Sequence, residues 1–154
     1  MSASPAEAAH AVLEWAPLVM RAIRAYMRQQ RSGGLSVPQF RALVFIDRHA
    51  GASLSDLAEH LGVTLASMTR VVDTLESQGW VTRERDVEDR RRIRMSLTDQ
   101  GHTLMVRSRR ATLEHLTDRF GTLSVSQCQT VIEAMRIMHP LFHVGDTAST
   151  DRER

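Results

Sequence analysis

One short segment departs from the helical pattern of the rest of the sequence, and it strongly limits the possible folds. The charged run Glu84–Arg92 is followed by an alternation in which Ile93, Met95 and Leu97 are apolar and their neighbours are polar. Alternation with a period of two is typical of a β-strand with one buried face. We therefore predict a β-hairpin at residues 80–97 with a charged tip. The alternative interpretation of the charged run is a solvated surface.

Outside this segment, apolar residues recur every three or four positions, which predicts helices. The pattern Ser-x-x-Glu/Gln/Asp, typical of a capping box, begins at Ser4, Ser36, Ser53 and Ser124, and Thr64 and Thr98 are candidate single caps. The predicted helices lie near residues 5–31, 36–49, 54–60, 65–78, 99–120 and 125–142. The fold class is therefore mostly α with a small β-hairpin.

The third and fourth predicted helices are short and are joined by a tight turn at Gly62. Apolar side chains on both helices can form the wedge that fixes such a pair: Leu57, Ala58, Leu61, Val63, Met68, Val71, Val72 and Leu75. This arrangement predicts a helix-turn-helix. A helix-turn-helix followed by a charged hairpin indicates a winged helix that holds duplex DNA.

If the wedge faces inward, the start of the fourth helix presents small, hydroxylated and guanidinium side chains outward. These candidate DNA-binding residues are Leu65, Ala66, Ser67, Thr69 and Arg70. Small residues allow close approach to a major groove, and an arginine that forks onto a guanine contributes about 1 to 3 kcal/mol of discrimination. The alternative is a helix face that is only solvated.

The hairpin tip supplies a second set of candidate DNA contacts. Arg90, Arg91 and Arg92 can enter a minor groove, whose negative potential attracts guanidinium groups. Asp86 and Asp89 would repel phosphates unless one of them pairs with a neighbouring arginine and fixes the direction of the tip. We expect Asp89 to have this orienting role.

Composition narrows the class of protein. A chain of 154 residues supports a single domain, 1–154, and its one cysteine, Cys128, excludes an intramolecular disulfide. Neither a long apolar run nor a signal segment is present, so we expect a cytoplasmic protein without a membrane segment. The formal charge is only +2, but residues 89–110 carry seven arginines against two aspartates. The polar tail 144–154 is expected to be disordered.

The segment from Leu54 to Thr98 resembles the MarR family of bacterial winged-helix regulators. The resemblance rests on Arg85-Asp86-x-x-Asp89-Arg90-Arg91 followed by Leu97-Thr98-x-x-Gly101, and it covers roughly residues 18–142. It implies a winged lobe at about 36–98 and dimerisation helices at about 5–31 and 99–142. It also implies a homodimer on a palindromic operator, in which Ala66, Ser67, Thr69 and Arg70 occupy recognition-helix positions and Arg90 to Arg92 form the wing.

Many members of that family respond to small aromatic or phenolic anions, which bind between the dimer helices and the winged lobe. The resemblance therefore implies a ligand-responsive regulator, most simply a repressor that occludes a promoter. Trp15, His10, Arg21 and Arg24 could line such a crevice, but these residues do not define an effector site.

The apolar content of the outer helices independently favours a dimer. Val12, Trp15, Val19, Ile23 and Tyr26 follow a helical spacing at one end, and a stripe through Phe142 does so at the other. This is more apolar surface than a small lobe needs to cover. The alternative is that both helices pack on the core of their own chain.

Other candidate sites are weaker. His139 and His143 are two potential ligands where a metal needs three or four, and Cys128 is more consistent with a core thiol than with a redox sensor.

The sequence contains no phosphate loop and no nucleophile with a suitable His and Asp context, so we expect no cofactor and no enzymatic activity. The main rival hypothesis is a winged helix that binds proteins and not DNA.

Overall fold

The secondary structure agrees with the predicted order of six helices and one hairpin. A computed structural model describes residues 4–30, 34–86 and 93–142. Its elements are α1 (Pro5–Gln29), α2 (Val37–Arg48), α3 (Leu54–Leu61), α4 (Leu65–Ser77), β1 (Val81–Arg85), β2 (Ile93–Leu97), α5 (Asp99–Phe120) and α6 (Val125–Phe142). The predicted disordered tail at 144–154 lies outside the described residues.

The predicted caps explain where the helices begin. Ser4, Ser36 and Ser53 each accept a hydrogen bond from the backbone amide three residues later, and the side chain of that later residue accepts one from the backbone amide of the serine. Ser124 and Gln127 exchange the same pair of bonds. Such reciprocal bonds satisfy amides that a helix start otherwise leaves unpaired. The sequence pattern therefore predicted these starts to within one residue.

A single apolar core joins α2, α3, α4 and the hairpin. Its most buried large side chains are Leu35, Leu43, Leu57, Met68, Val72, Leu75, Val81 and Met95. The hairpin is antiparallel, with Val81 paired to Leu97 and Arg85 paired to Ile93. Met95 points into the core from this ribbon, as the alternating pattern predicts, whereas Ile93 is half exposed.

The Leu-Thr-x-x-Gly segment fastens the start of α5 to the beginning of the hairpin. Thr98 Oγ1 donates to the Gly79 carbonyl at 2.7 Å and accepts from the Gly101 amide at 3.0 Å. A Cβ on Gly101 would lie 2.0 Å from the Trp80 carbonyl oxygen, so only glycine fits at this approach. The motif is thus a structural joint between β1 and α5.

The chain divides into two compact units, Met1–His115 and Leu116–Arg154. In the first unit, α1 contributes only Met27 to the buried core, with Ile23 packed against it. In the second unit, none of the residues of α6 is buried. Among the described residues, no helix combines the length and apolarity needed to cross a bilayer.

Candidate nucleic-acid interface

The helix-turn-helix holds α4 through a buried wedge. Gly62 ends α3 in the left-handed conformation, with φ of 66°, and Thr64 caps α4 by accepting from the Ser67 amide. Met68, Val72 and Leu75 of α4 are 1%, 0% and 0% exposed. The predicted wedge is therefore present, except that Val63 is exposed at the turn.

The opposite face of α4 carries the candidate recognition residues. Leu65, Ala66, Ser67 and Arg70 are exposed, and Thr69 is half-buried. Thr69 Oγ1 donates to the Leu65 carbonyl at 2.8 Å, and Thr64 Oγ1 donates to Ser67 Oγ at 3.0 Å. The hydroxyl oxygens of Ser67 and Thr69 each retain capacity to accept a further hydrogen bond. Within the described part of the chain Arg70 forms no ion pair, so its guanidinium is available to a ligand.

An ionic clamp that the sequence analysis missed ties α4 to the hairpin. Arg83 of β1 approaches Asp73 Oδ1 with Nη2 at 2.5 Å and Glu76 Oε2 with Nε at 3.4 Å. Asp73 and Glu76 are three residues apart and therefore share one face of α4. That spacing was the available signal, but the facing arginine on β1 could not be identified without the packing of α4 against the hairpin.

Just after the end of β1, Asp86 is buried and accepts from Arg94 Nε at 2.6 Å. Asp89 and Arg90 to Arg92 lie outside the described residues, so their assigned roles stay predictions. From the sequence we predicted an aspartate–arginine pair in this hairpin, with Asp89 as the aspartate. In the described portion of the hairpin, the pair is Asp86 with Arg94.

A cavity of about 260 Å³ lies between the end of α1 and the middle of α5. Its lining includes Tyr26, Met27, Gln30, Leu35, Arg107 and Thr112. Tyr26 also stacks on His115, with ring centroids 4.0 Å apart and an interplanar angle of 10°. The crevice candidates from the sequence, Trp15, His10, Arg21 and Arg24, do not line this cavity, because they lie at exposed positions of α1.

The remaining chemistry-bearing residues form no further site in the described ranges. There, no three His, Cys, Asp or Glu side chains come together to hold a metal ion. Cys128 is half-buried on α6, not in the core where it was expected. His139 is exposed, and His143 lies beyond the described residues.

Comparison with known sequences agrees with this geometry. The MarR family profile matches residues 35–93. The chain is 37% identical over 65 residues to YfiV of Bacillus subtilis, an HTH-type transcriptional regulator, covering 42% of this chain and 41% of that protein. It is 31% identical over 120 residues to Mb0904 of Mycobacterium bovis, also an HTH-type transcriptional regulator, covering 78% of this chain and 84% of that one. Neither name describes an enzyme.

Solved structures share the fold. A mutant MarR from E. coli superimposes with a TM-score of 0.75 at 22% identity, covering 91% of this chain and 99% of the other. FabT of Streptococcus pneumoniae, solved in complex with DNA, gives a TM-score of 0.68 at 18% identity, covering 86% and 95%. Together, the winged helix-turn-helix geometry, the family profile and the similarity to Mb0904 along most of both chains assign this protein to the MarR family.

Proposed function

We propose that this protein is a sequence-specific regulator of transcription that binds double-stranded DNA as a homodimer. The observation that carries the proposal is the orientation of α4. Its inner face is fully buried, so its outer face, which includes Arg70, is held towards solvent at the start of the helix. A rigid helix with small residues beside a guanidinium fits a major groove. The DNA complex of FabT, which has the same fold, supports this use of the lobe.

In this proposal, α4 reads bases through its first turn and a half. Leu65 and Ala66 give close approach and apolar contact, Ser67 and Thr69 offer hydroxyls, and Arg70 forks onto a guanine. The Arg83 clamp supports this role, because it ties the second half of α4 to β1 and limits rotation of the helix. Specificity then depends on a helix whose orientation is fixed before DNA binds.

The hairpin supplies affinity that depends little on sequence. Arg90, Arg91 and Arg92 are assigned to phosphates and to a minor groove, and Asp89 is assigned to orienting the tip. Each phosphate that an arginine neutralises releases counterions, so the slope of log K against log salt changes by about −0.9 per contact. Three wing contacts in each protomer would therefore account for much of the salt dependence.

Dimerisation is supported by apolar side chains that are exposed in the single chain. On α1 they are Leu13, Trp15, Leu18 and Val19, and on α6 they include Ile132, Met135, Ile137, Leu141 and Phe142. Soluble proteins rarely leave so much apolar surface in water. An isologous dimer covers both faces and sets two α4 helices about 34 Å apart, which requires half-sites one helical turn apart in a palindromic operator.

We further propose that the cavity between α1 and α5 binds a small aromatic or phenolic anion. Its lining offers a phenol ring from Tyr26, a guanidinium from Arg107 and apolar surface from Leu35. In the proposed dimer, each protomer has one winged lobe. A ligand that binds better at one spacing of these two lobes changes DNA affinity, and such coupling is typically about 1 to 3 kcal/mol. The protein would then act in the cytoplasm as a repressor that leaves a promoter when the anion binds.

The test is fluorescence anisotropy with a labelled operator duplex at several salt concentrations. Arg70→Ala should weaken operator binding by about 1 to 3 kcal/mol and relax base preference at one position. The double variant Arg91→Ala, Arg92→Ala should weaken binding to all duplexes and reduce the salt slope. Glu59→Gln on the exposed side of α3 is the control that changes a charge without touching the proposed contacts. Unchanged affinity in both arginine variants would favour the rival protein-binding module.

A further inference from the structure

Asp86 is the only charged residue with a buried side chain among those the structure describes. Its side chain is 6% exposed, whereas that of its partner, Arg94, is 53% exposed. A buried carboxylate is costly unless it is paired and hydrogen-bonded. The short Nε to Oδ2 distance of 2.6 Å therefore means that Arg94 is held at Asp86 and is not a freely moving surface cation.

Arg94 also contacts a different part of the lobe. Gly51, in the turn between α2 and α3, has φ of +79°, and a Cβ on it would lie 3.2 Å from Arg94 Cδ. Beside this contact, the Met95 amide donates to the Ala52 carbonyl at 3.3 Å. The aliphatic part of the Arg94 side chain therefore lies beside the backbone of Gly51, just before the cap of α3. Its guanidinium binds Asp86 at the end of β1.

These contacts occur at the end of the hairpin where the neighbouring side chains of both strands are exposed. Beyond Met95 the two strands leave the core, and Ile93, Arg94, Glu84 and Arg85 are all exposed. A two-stranded ribbon is only marginally stable by itself and needs packing on one face to hold its direction. Arg94 and Asp86 link the ends of the two strands through an ion pair, and the Arg94 side chain packs beside Gly51 in the turn before α3.

We propose that Asp86 and Arg94 form a brace that sets the direction of the hairpin, and that DNA affinity depends on this brace and not on contact between Arg94 and a phosphate. The inference rests on the proposed function, because it concerns how the hairpin is presented to DNA. Asp86 and Arg94 are positioning residues. They orient the two strands that continue into the arginine-rich segment.

The brace and simple electrostatics give opposite signs for one substitution. Asp86→Asn removes a negative charge from the DNA-facing lobe, so charge alone should tighten DNA binding. If Asp86 holds the brace, the same substitution weakens binding by about tenfold, since a charge-assisted hydrogen bond between the strands is lost. The sign of the change therefore separates the two explanations.

Glu84→Gln is the matched control. Glu84 lies opposite Arg94 in the strand register and is exposed, and the substitution removes the same charge from the same hairpin without removing the Asp86 carboxylate. This variant should bind DNA as tightly as the wild-type protein or slightly more tightly. A phosphate contact by Arg94 makes a further distinction, because Arg94→Lys would keep it, whereas a lysine has no Nε–H at the position from which Arg94 donates to Asp86.

The experiment measures binding of the full chain to one operator duplex, with hydroxyl-radical footprints and melting curves for every variant. We expect Asp86→Asn, Arg94→Lys and the double variant Asp86→Asn, Arg94→Lys to lose about tenfold each. The double variant should lose no more than Asp86→Asn alone, since that substitution already removes the ion pair with Arg94. Footprints should fade at the flanks that the hairpin contacts and persist under α4, which loss of fold stability alone would not produce.

Four results would overturn the inference. If the Asp86→Asn variant binds the operator duplex as tightly as the Glu84→Gln variant, the brace is refuted. Additive losses of affinity in the double variant refute it as well. If Asp86→Asn fails to melt cooperatively, Arg94→Lys decides the question, because unchanged affinity in that variant assigns Arg94 to a phosphate. Wild-type protein that retains no duplex from a random pool refutes the proposed function itself, together with any role of the brace in it.

Discussion

Helices α4 and α6 have similar apolar periodicity but very different surroundings. In α4, the three inward side chains at positions 68, 72 and 75 are almost completely buried. In α6, the stripe that contains Ile132, Met135 and Phe142 repeats at the same spacing, yet these side chains remain exposed in the single chain. Periodicity predicts which face of a helix is apolar, whereas the rest of the chain decides whether that face is covered.

This difference assigns the two helices to different associations. The winged lobe completes its core within one chain, so α4 is positioned without a partner. Among the described residues, most of the apolar side chains of α6 stay exposed, and so do Leu13, Trp15, Leu18 and Val19 of α1. The comparison therefore supports a protein in which each chain folds its own DNA-reading lobe and a second copy covers the outer helices.

The largest effect should come from placing charge on the α6 stripe. In the double variant Ile132→Asp, Met135→Asp, four apolar side chains of a symmetric dimer are lost, each contributing about 1.5 to 3 kcal/mol when buried. We expect the dimer dissociation constant to rise about a thousandfold or more, measured by light scattering during size-exclusion chromatography. Operator affinity should fall in parallel.

The control for this experiment is Gln129→Glu, which adds a charge to an exposed polar position of the same helix. It should leave the dimer intact. A double variant that elutes as a dimer and keeps its operator affinity would contradict the assignment of α6 to the dimer interface.

A smaller effect is expected inside the lobe. Leu75→Ala leaves a cavity in a fully buried site, which should reduce the free energy of unfolding by about 2 to 5 kcal/mol. Leu65→Ala, on the exposed face of the same helix, should change it by about 0.5 kcal/mol or less. Denaturant titration at several protein concentrations measures both. Equal losses in the two variants would mean that the two faces of α4 are not distinguished as described.

The joint between β1 and α5 should contribute less again. Thr98→Val keeps the shape of the side chain but removes the bonds to the Gly79 carbonyl and the Gly101 amide. Loss of such a cap costs about 1 to 2 kcal/mol of unfolding free energy. Ser96→Ala, on the exposed side of β2, is the comparison variant and should be nearly neutral. If the two variants denature at the same midpoint, the joint does not stabilise the lobe.

The smallest expected effect is a pH dependence at the start of α1. The Ser4 backbone amide, and then its hydroxyl, hold the pKa of the Glu7 carboxyl below its ordinary value of 4.5. Because the folded pKa is the lower one, this contribution to stability is present above pH 4.5 and is lost as pH falls through the folded pKa. NMR titration of Glu7 should give the lowered value, and the Ser4→Ala variant should return it towards normal. An unshifted titration in the wild-type protein would exclude the capping box in solution.

The sequence predicted most local features and missed those that depend on distant partners. Ser36, Ser53 and Thr64 predicted helix starts because a cap is a contact within four residues. Met68 and Val72 could be assigned to the core because helical spacing fixes their common face. The partner of Asp86 could not be assigned, because eight residues and a reversal of the chain separate it from Arg94. Arg83 and its carboxylates on α4 were missed for the same reason.

The outer helices were predicted in part. Ile23 was assigned to the dimer face but packs against the core of its own unit, as the alternative interpretation allowed. Trp15 and Val19 remain exposed, which agrees with the dimer hypothesis. Two turns of one helix thus have different partners, and periodicity alone does not separate them. The cavity beside Arg107 was also missed, since α1 and α5 line it together and are distant in sequence.

Selection of bound duplexes from a random DNA pool tests the central claim most directly. If two copies of the chain each place α4 in a major groove, the selected sequences should share a two-fold symmetric consensus whose half-sites are about one helical turn apart. Sequences selected with the Arg70→Ala variant should lose the base preference at one position, and that position should be the same in both half-sites. Failure to enrich any sequence, or enrichment of a single unsymmetric half-site, would contradict the account.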